Sequence, residues 1–263
     1  MFENIVAFII GVIAGVAAGM FGIGGGVVIV PALIIIFSLP LHFATGTSLA
    51  ALLLPVGIFA CIKFYKSRLL NIKIAALIAF GLTIGVYFGS EAVSVINPKM
   101  LKIIYGCFLL FVSLYFINPL QLIKKSNSEK VVYEYKNTVP SIYPLLIGVF
   151  AGILSGMFGI GGGLVITPFL MYVLRFHPKN AIGTSLGALL LPVGLPGVIV
   201  YFNNGFIVLN FAIAIAIGIV FGAIIGAKIT LSLKTKYVKL IYGVFLLLMA
   251  LDFIVGGSIA NKI

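Results

Sequence analysis

The chain has 263 residues, 62% hydrophobic and only 8% charged, with a mean hydropathy of +1.30. A water-exposed domain carries about 25% charged residues, so a soluble enzyme, a nucleic-acid-binding domain and a disordered chain are excluded, and a polytopic membrane protein is expected. The net charge of +12, from 17 Lys and Arg against 5 Asp and Glu, is then informative through its placement along the chain.

From the N-terminus, Met1-Phe2-Glu3-Asn4 lacks the basic stretch of a cleavable leader, so the first hydrophobic segment is expected to be structural. That segment, Asn4 to Leu39, exceeds the roughly 20 residues that cross a bilayer once, and Gly19, Gly22, Gly24, Gly25 and Gly26 interrupt it. Glycine disfavours helix continuation and opens dihedrals closed to other residues. Two half-helices meeting at the glycines, or a pair of short crossings, are expected. The second segment, Phe43 to Tyr65, carries Gly46-Thr47-Ser48-Leu49 early and Pro55 in its middle, where a kink or break is expected. The third and fourth run from Ile72 to Ile96 and from Met100 to Phe116, ahead of a polar stretch over residues 118–144.

Beyond that stretch the pattern begins again. Gly19-Met20-Phe21-Gly22-Ile23-Gly24-Gly25-Gly26 recurs letter for letter as Gly156-Met157-Phe158-Gly159-Ile160-Gly161-Gly162-Gly163, an offset of 137. The same offset carries Thr47-Ser48 to Thr184-Ser185, Pro55 to Pro192, and Gly81, Gly85 and Gly89 to Gly218, Gly222 and Gly226. The chain is therefore a duplication, with repeats over 1–117 and 145–263 and a linker over 118–144.

Cations collect in cytoplasmic loops. The loop after the second segment holds Lys63, Lys66, Arg68 and Lys73 in the first copy, and its counterpart, 201–210, holds none. The other loops show the opposite bias: Arg175 and Lys179, then Lys228, Lys234, Lys236 and Lys239, fall in the second copy. With the linker cytoplasmic, every Lys and Arg except Lys99, Lys102 and Lys262 faces inside, and both termini face outside. That count requires inverted copies. An odd number of crossings follows, so the first segment of each copy is expected to be a re-entrant hairpin beside three transmembrane helices.

Irregular backbone at membrane depth is tolerated where protein or a water-filled cavity satisfies its polar groups, and helix N-termini meeting there suit an anion. The candidate binding groups are the amides around Gly22, Gly24, Gly25 and Gly26 and around Gly159, Gly161, Gly162 and Gly163. The hydroxyls of Thr47, Ser48, Thr184 and Ser185 join them, although Ser and Thr also bond carbonyls within helices. The four-residue glycine spacings on Gly11, Gly15, Gly19 and on Gly81, Gly85, Gly89 read as close-packing helix faces, which can also carry a homodimer. No catalytic constellation, proton relay, metal cluster or cofactor motif is read: Cys61 and Cys107 align with Val198 and Val244, and the glycine run lacks the third glycine of a dinucleotide fingerprint. Asp252, near the end of the last span, aligns with Tyr115.

The paired Gly-Met-Phe-Gly-Ile-Gly-Gly-Gly elements, each followed by Pro31 or Pro168, Gly-Thr-Ser-Leu and Leu-Pro-Val-Gly, resemble the sulfite exporter TauE/SafE family of membrane permeases, over about Ile5 to Phe253. The resemblance implies export of a small sulfur-containing anion such as sulfite or a sulfonate across the cell membrane. It leaves an uncoupled anion channel, or a carrier of small organic carboxylates, as the alternative.

Overall fold

The computed structural model describes residues 2–22, 24–53, 58–96, 98–117 and 140–232, with 240, 243, 244, 247, 248, 250, 251 and 254. Among these residues there are helices and no strand. In the first copy they are α1 (Phe2–Phe21), α2 (Gly26–Phe37), α3 (Leu41–Ala51), α4 (Ile58–Lys66), α5 (Ile72–Val95) and α6 (Pro98–Ile117). In the second they are α7 (Ile142–Phe158), α8 (Gly163–Tyr172), α9 (Pro178–Ala188), α10 (Leu195–Asn203) and α11 (Leu209–Ser232). Three stretches, Phe2–Phe21, Ile72–Val93 and Leu209–Ile229, are long and apolar enough to cross a membrane. Their outer faces are apolar too. Ile5, Ile9 and Ile13 on α1 and Ile213, Ile217 and Phe221 on α11 are about half exposed, a surface suited to lipid and not to water.

Local sequence sets the ends. Asn71 caps α5 by accepting from the Ile74 N–H at 3.0 Å. Pro178 opens α9 at a position where its missing N–H is not needed. The second segment is two helices, not one. In the second copy the break spans Leu189 to Gly194 and contains Pro192, where a proline would remove a helical bond. The first-copy break includes Pro55, which lies outside the described residues. The first segment is two helices that meet at the glycines, of different lengths. Its arms are unequal: α1 has 20 residues and α2 has 12, about 30 and 18 Å at the helical rise.

The dominant packing joins the copies. α1 lies along α11, and α7 along α5. A Cβ built on Gly11, Gly15 or Gly19 would stand 2.3, 2.4 and 2.4 Å from the carbonyl oxygens of Ile215, Ile219 and Ala223. From the other side, Cβ atoms on Gly218, Gly222 and Gly226 would stand 2.3, 2.1 and 2.1 Å from those of Phe8, Val12 and Val16. The numbers rise together, so the helices run parallel. Gly81, Gly85 and Gly89 meet α7 in the same way. Backbones this close exclude every side chain at the contact. The glycine faces expected to offer a homodimer surface are therefore occupied within one chain, by the other copy.

At the end of α2, Phe37 packs against Phe211 at the start of α11 as a tilted ring pair, with centroids 4.4 Å apart. The chain that leaves along α1 thus turns at the glycines and comes back to the end from which α1 started. α3 begins there, with His42 and Phe43 against Phe206. α4 then reaches the opposite end, where Ala60 and Phe64 pack with Ile182, Leu186 and Ala227. The fourth segments also touch: the Ser113 hydroxyl donates to the Gly243 carbonyl at 3.0 Å. Most of the expected linker, Lys234, Lys236, Lys239 and Asp252 lie outside the described residues.

Candidate functional site

The two glycine turns meet at the centre of the molecule. Gly22, Gly24 and Gly25 have φ of 70, 79 and 85°, and Gly159, Gly161 and Gly162 have 66, 75 and 74°. This left-handed backbone is costly for residues with a side chain. A Cβ on Gly24 would lie 3.4 Å from the Gly161 Cα, so each turn is the other's neighbour. Gly26 is required for space instead: its Cβ would stand 2.1 Å from the Gly159 carbonyl oxygen. Gly163, its counterpart, opens α8.

Each apex is fastened by the opposite copy. The Ser48 hydroxyl donates to the Gly159 carbonyl and the Ser185 hydroxyl to the Gly22 carbonyl, both at 2.7 Å. Thr47 accepts from the Val208 N–H at 3.0 Å, and Thr184 from the Asn71 N–H at 3.1 Å. Each bond recurs with the copies exchanged. All four side chains are fully buried. The structure thus brings two of the predicted hydroxyls, Ser48 and Ser185, to the predicted glycines on their carbonyl side, and turns Thr47 and Thr184 to the starts of α11 and α5. Replacing Ser48 by Ala is expected to lower stability by about 1–3 kcal/mol, because a buried carbonyl loses its donor, and Ser185→Ala should match it. Thermal unfolding of the purified variants measures both; an unchanged Tm would mean that the apices are held by other contacts.

The amides point elsewhere. In α2 the N–H groups of Val28 and Ile29 bond the Gly25 carbonyl at 2.9 and 3.2 Å, and those of Gly24, Gly25, Gly26 and Val27 have no backbone acceptor among the described residues. Such orphan donors carry the partial positive charge of a helix start. Between the apices lies a cavity of about 40 Å³ lined by Gly24 and Gly161, Leu49 and Leu186, Leu52 and Leu189, and Ser155. A water needs roughly 10–15 Å³ by this measure, so the space suits a few waters or a small polar group.

Two polar groups have a setting that the sequence did not predict. Lys63, expected in a loop, lies within α4, and its Nζ is buried with no hydrogen-bond partner among the described residues. Its counterpart is Val200. The only sequence signal was this asymmetry. The Thr45 hydroxyl is likewise buried without a partner; Thr45 packs on Gly159, as its counterpart Ile182 packs on Gly22. Among the described residues no cluster of His, Cys, Asp and Glu is placed to hold a metal ion.

Comparison with known proteins is consistent across the whole chain. The profile of the family described as "Sulfite exporter TauE/SafE" matches residues 7–253. A "Probable membrane transporter protein MJ0441" of Methanocaldococcus jannaschii is 31% identical over 258 residues, covering 92% of each chain. A "Probable membrane transporter protein YunE" of Bacillus subtilis is 26% identical over 273 residues, covering 96% of this chain and 98% of the relative. No solved structure matches significantly.

Proposed function

The chain belongs to the sulfite exporter TauE/SafE family, a family of membrane transporters and not of enzymes, and from that premise we propose that it exports a small sulfur-containing anion, sulfite or a sulfonate, by alternating access. The observation that carries this reading is the meeting of Gly24 and Gly161 at a cavity flanked by orphan amides. Helix starts bind anions through N–H groups and the helix dipole. Around that cavity the amides of Gly24, Gly25, Gly26, Gly161 and Gly162 supply the donors, while those of Gly22, Gly159 and Gly163 already bond the carbonyls of Ala18, Ser155 and Gly161. Ser48 and Ser185 act on the anion by holding the apices, since each donates its proton to an apex carbonyl, whereas Thr47 and Thr184 accept from the N–H groups of Val208 and Asn71 and keep an O–H to donate. The leucines of the lining favour an anion with an apolar body, which keeps small carboxylates as a second substrate class.

Repeats 1–117 and 145–263 have inverted topology in this reading, joined by a cytoplasmic linker over 118–144, in the inner membrane with both termini outside. The return of α2 to the starting end of α1, and the split crossing of α3 and α4, support a re-entrant hairpin in each copy. The interlocked pairs α1–α11 and α5–α7 serve as rigid bodies, and the break after α9 serves as a moving joint. Lys63 attracts the anion from one side in this reading: its chain neighbour Phe64 packs in the cluster containing Leu186, and Leu186 also lines the cavity. An ammonium buried without an acceptor is costly until an anion reaches it.

Purified protein in vesicles tests this. Sulfite, thiosulfate, sulfate, sulfonates and small carboxylates are screened for thermal stabilisation and for flux, with and without an opposing gradient. At least one should stabilise and move; stabilisation and flux by none would overturn the reading, and failure to move against a gradient would favour an uncoupled pathway. Lys63→Gln is expected to reduce flux at low anion concentration about tenfold or more, the size of one charge-assisted hydrogen bond, with Lys63→Arg retaining most of it.

A further inference from the structure

A second cavity lies away from the apices, on the outer surface. It encloses about 360 Å³ between α4, the start of α5 and the end of α9, and its walls include Ile58, Cys61, Ile62, Tyr65, Ala76 and Leu191. Ile58, Ile62, Tyr65 and Leu191 are between 38 and 57% exposed, so the groove opens outward, where the hydrocarbon of a bilayer would lie. Lys66, Arg68 and Lys73, all exposed, alternate in the chain with lining residues Tyr65, Leu70 and Ile72. They therefore cluster at the end of the groove where α4 passes into α5.

We infer that this groove is a binding site for an anionic phospholipid, one acyl chain lying in the apolar walls and the headgroup phosphate held by Lys66, Arg68 and Lys73. Charge complementarity selects the occupant. An apolar groove alone would accept any lipid; three cations at its mouth select an anionic headgroup. The duplication supplies an internal control. The equivalents of Ile58, Ile62, Tyr65 and Ala76 are Leu195, Ile199, Phe202 and Ile213, all apolar, whereas those of Lys66, Arg68 and Lys73 are Asn203, Gly205 and Asn210. One copy keeps the apolar pattern without the charges. Arg68 also holds a φ of 55° where its counterpart Gly205 has 71°. A cation thus stands at a left-handed position that glycine takes more readily, as strained residues at binding sites do. In the orientation proposed above the cations face the cytoplasmic leaflet.

The test is lipid retention by the purified full chain in neutral detergent, read by native mass spectrometry with phosphatidylglycerol or phosphatidylcholine added. The wild type should retain phosphatidylglycerol in preference. A Lys66→Gln, Arg68→Gln, Lys73→Gln variant, altered only at exposed positions, should bind it about ten- to a hundredfold more weakly, with phosphatidylcholine unaffected. Ala76→Trp, which fills the groove from an exposed position, should reduce both. Equal retention of the two lipids by the wild type, or undiminished phosphatidylglycerol in the triple variant, overturns the site. None of these readouts uses flux, so their failure leaves the transport reading untouched, and failure of the transport reading leaves them unaffected.

Discussion

Replacing Gly85 by leucine is expected to abolish folded protein. A Cβ at this position would stand 2.1 Å from the Val149 carbonyl oxygen, 2.8 Å from the Ile153 nitrogen and 2.9 Å from the Gly152 Cα. Every neighbour is backbone, so no side chain can rotate aside, and ordinary contact requires about 3.5 Å. α5 and α7 must separate along their length, which also opens the contacts of Gly81 and Gly89 with Leu145 and Ile153. Even Gly85→Ala should cost at least the 1–3 kcal/mol typical of overpacking, and the leucine several times that. Gly222→Leu should do the same, because its Cβ would meet the Val12 carbonyl oxygen at 2.1 Å. Gly194→Ala is the control. Its φ is −79° and the nearest atom to a Cβ is a leucine side-chain carbon at 3.6 Å, so a change within about 0.5 kcal/mol is expected. Monodispersity on size exclusion and thermal unfolding read the outcome. A Gly85→Ala variant with the wild-type Tm would show that the interlock is not a principal support of the fold.

Gly24→Ala is expected to leave a folded protein that transports at least about tenfold more slowly, a barrier change of roughly 1.4 kcal/mol. Here the added Cβ meets the Gly161 Cα, the Ile160 carbonyl oxygen and a Leu189 methyl, each at 3.4 Å, so it has room. What it costs the fold is backbone strain at φ 79°, about 1–2 kcal/mol. What it costs function is a methyl group in a cavity of about 40 Å³ between the apices. Gly205→Ala separates the two effects. It bears the same kind of strain, at φ 71°, with nothing within 4 Å of its Cβ. It should lower Tm by a similar amount and leave flux unchanged. Equal flux loss in both variants would assign the effect to stability, and undiminished flux in Gly24→Ala would remove the apex from the pathway.

Much of the candidate site was legible because glycine is legible. The letter-for-letter recurrence of Gly19–Gly26 at Gly156–Gly163 marked both turns, and the structure places positive φ at the same three glycines of each. The hydroxyl pairs were found for the right reason, polarity in an apolar setting, but their bonding was not readable. A Ser–Thr pair in a helix has several local acceptors, and only the arrival of the opposite apex directs Ser48 to Gly159 and Ser185 to Gly22. Lys63 was misplaced because a cation near a segment end reads as loop, whereas the helix that starts at Ile58 runs on through it to Lys66.

The sequence alone determined residence in the membrane, the duplication and where the chain must bend, because composition, identity at a fixed offset and glycine conformation are properties of short stretches. The tertiary structure decided which surfaces those features serve. The four-residue glycine faces on α1 and α5 specify close approach to some helix but not to which one, since a glycine surface is nearly featureless. Cross-copy packing against α11 and α7 chose the partner. Long-range pairing likewise turned Ser48 and Ser185 into fasteners of the opposite apex, as two segments must be brought together before either can satisfy the other's buried carbonyl.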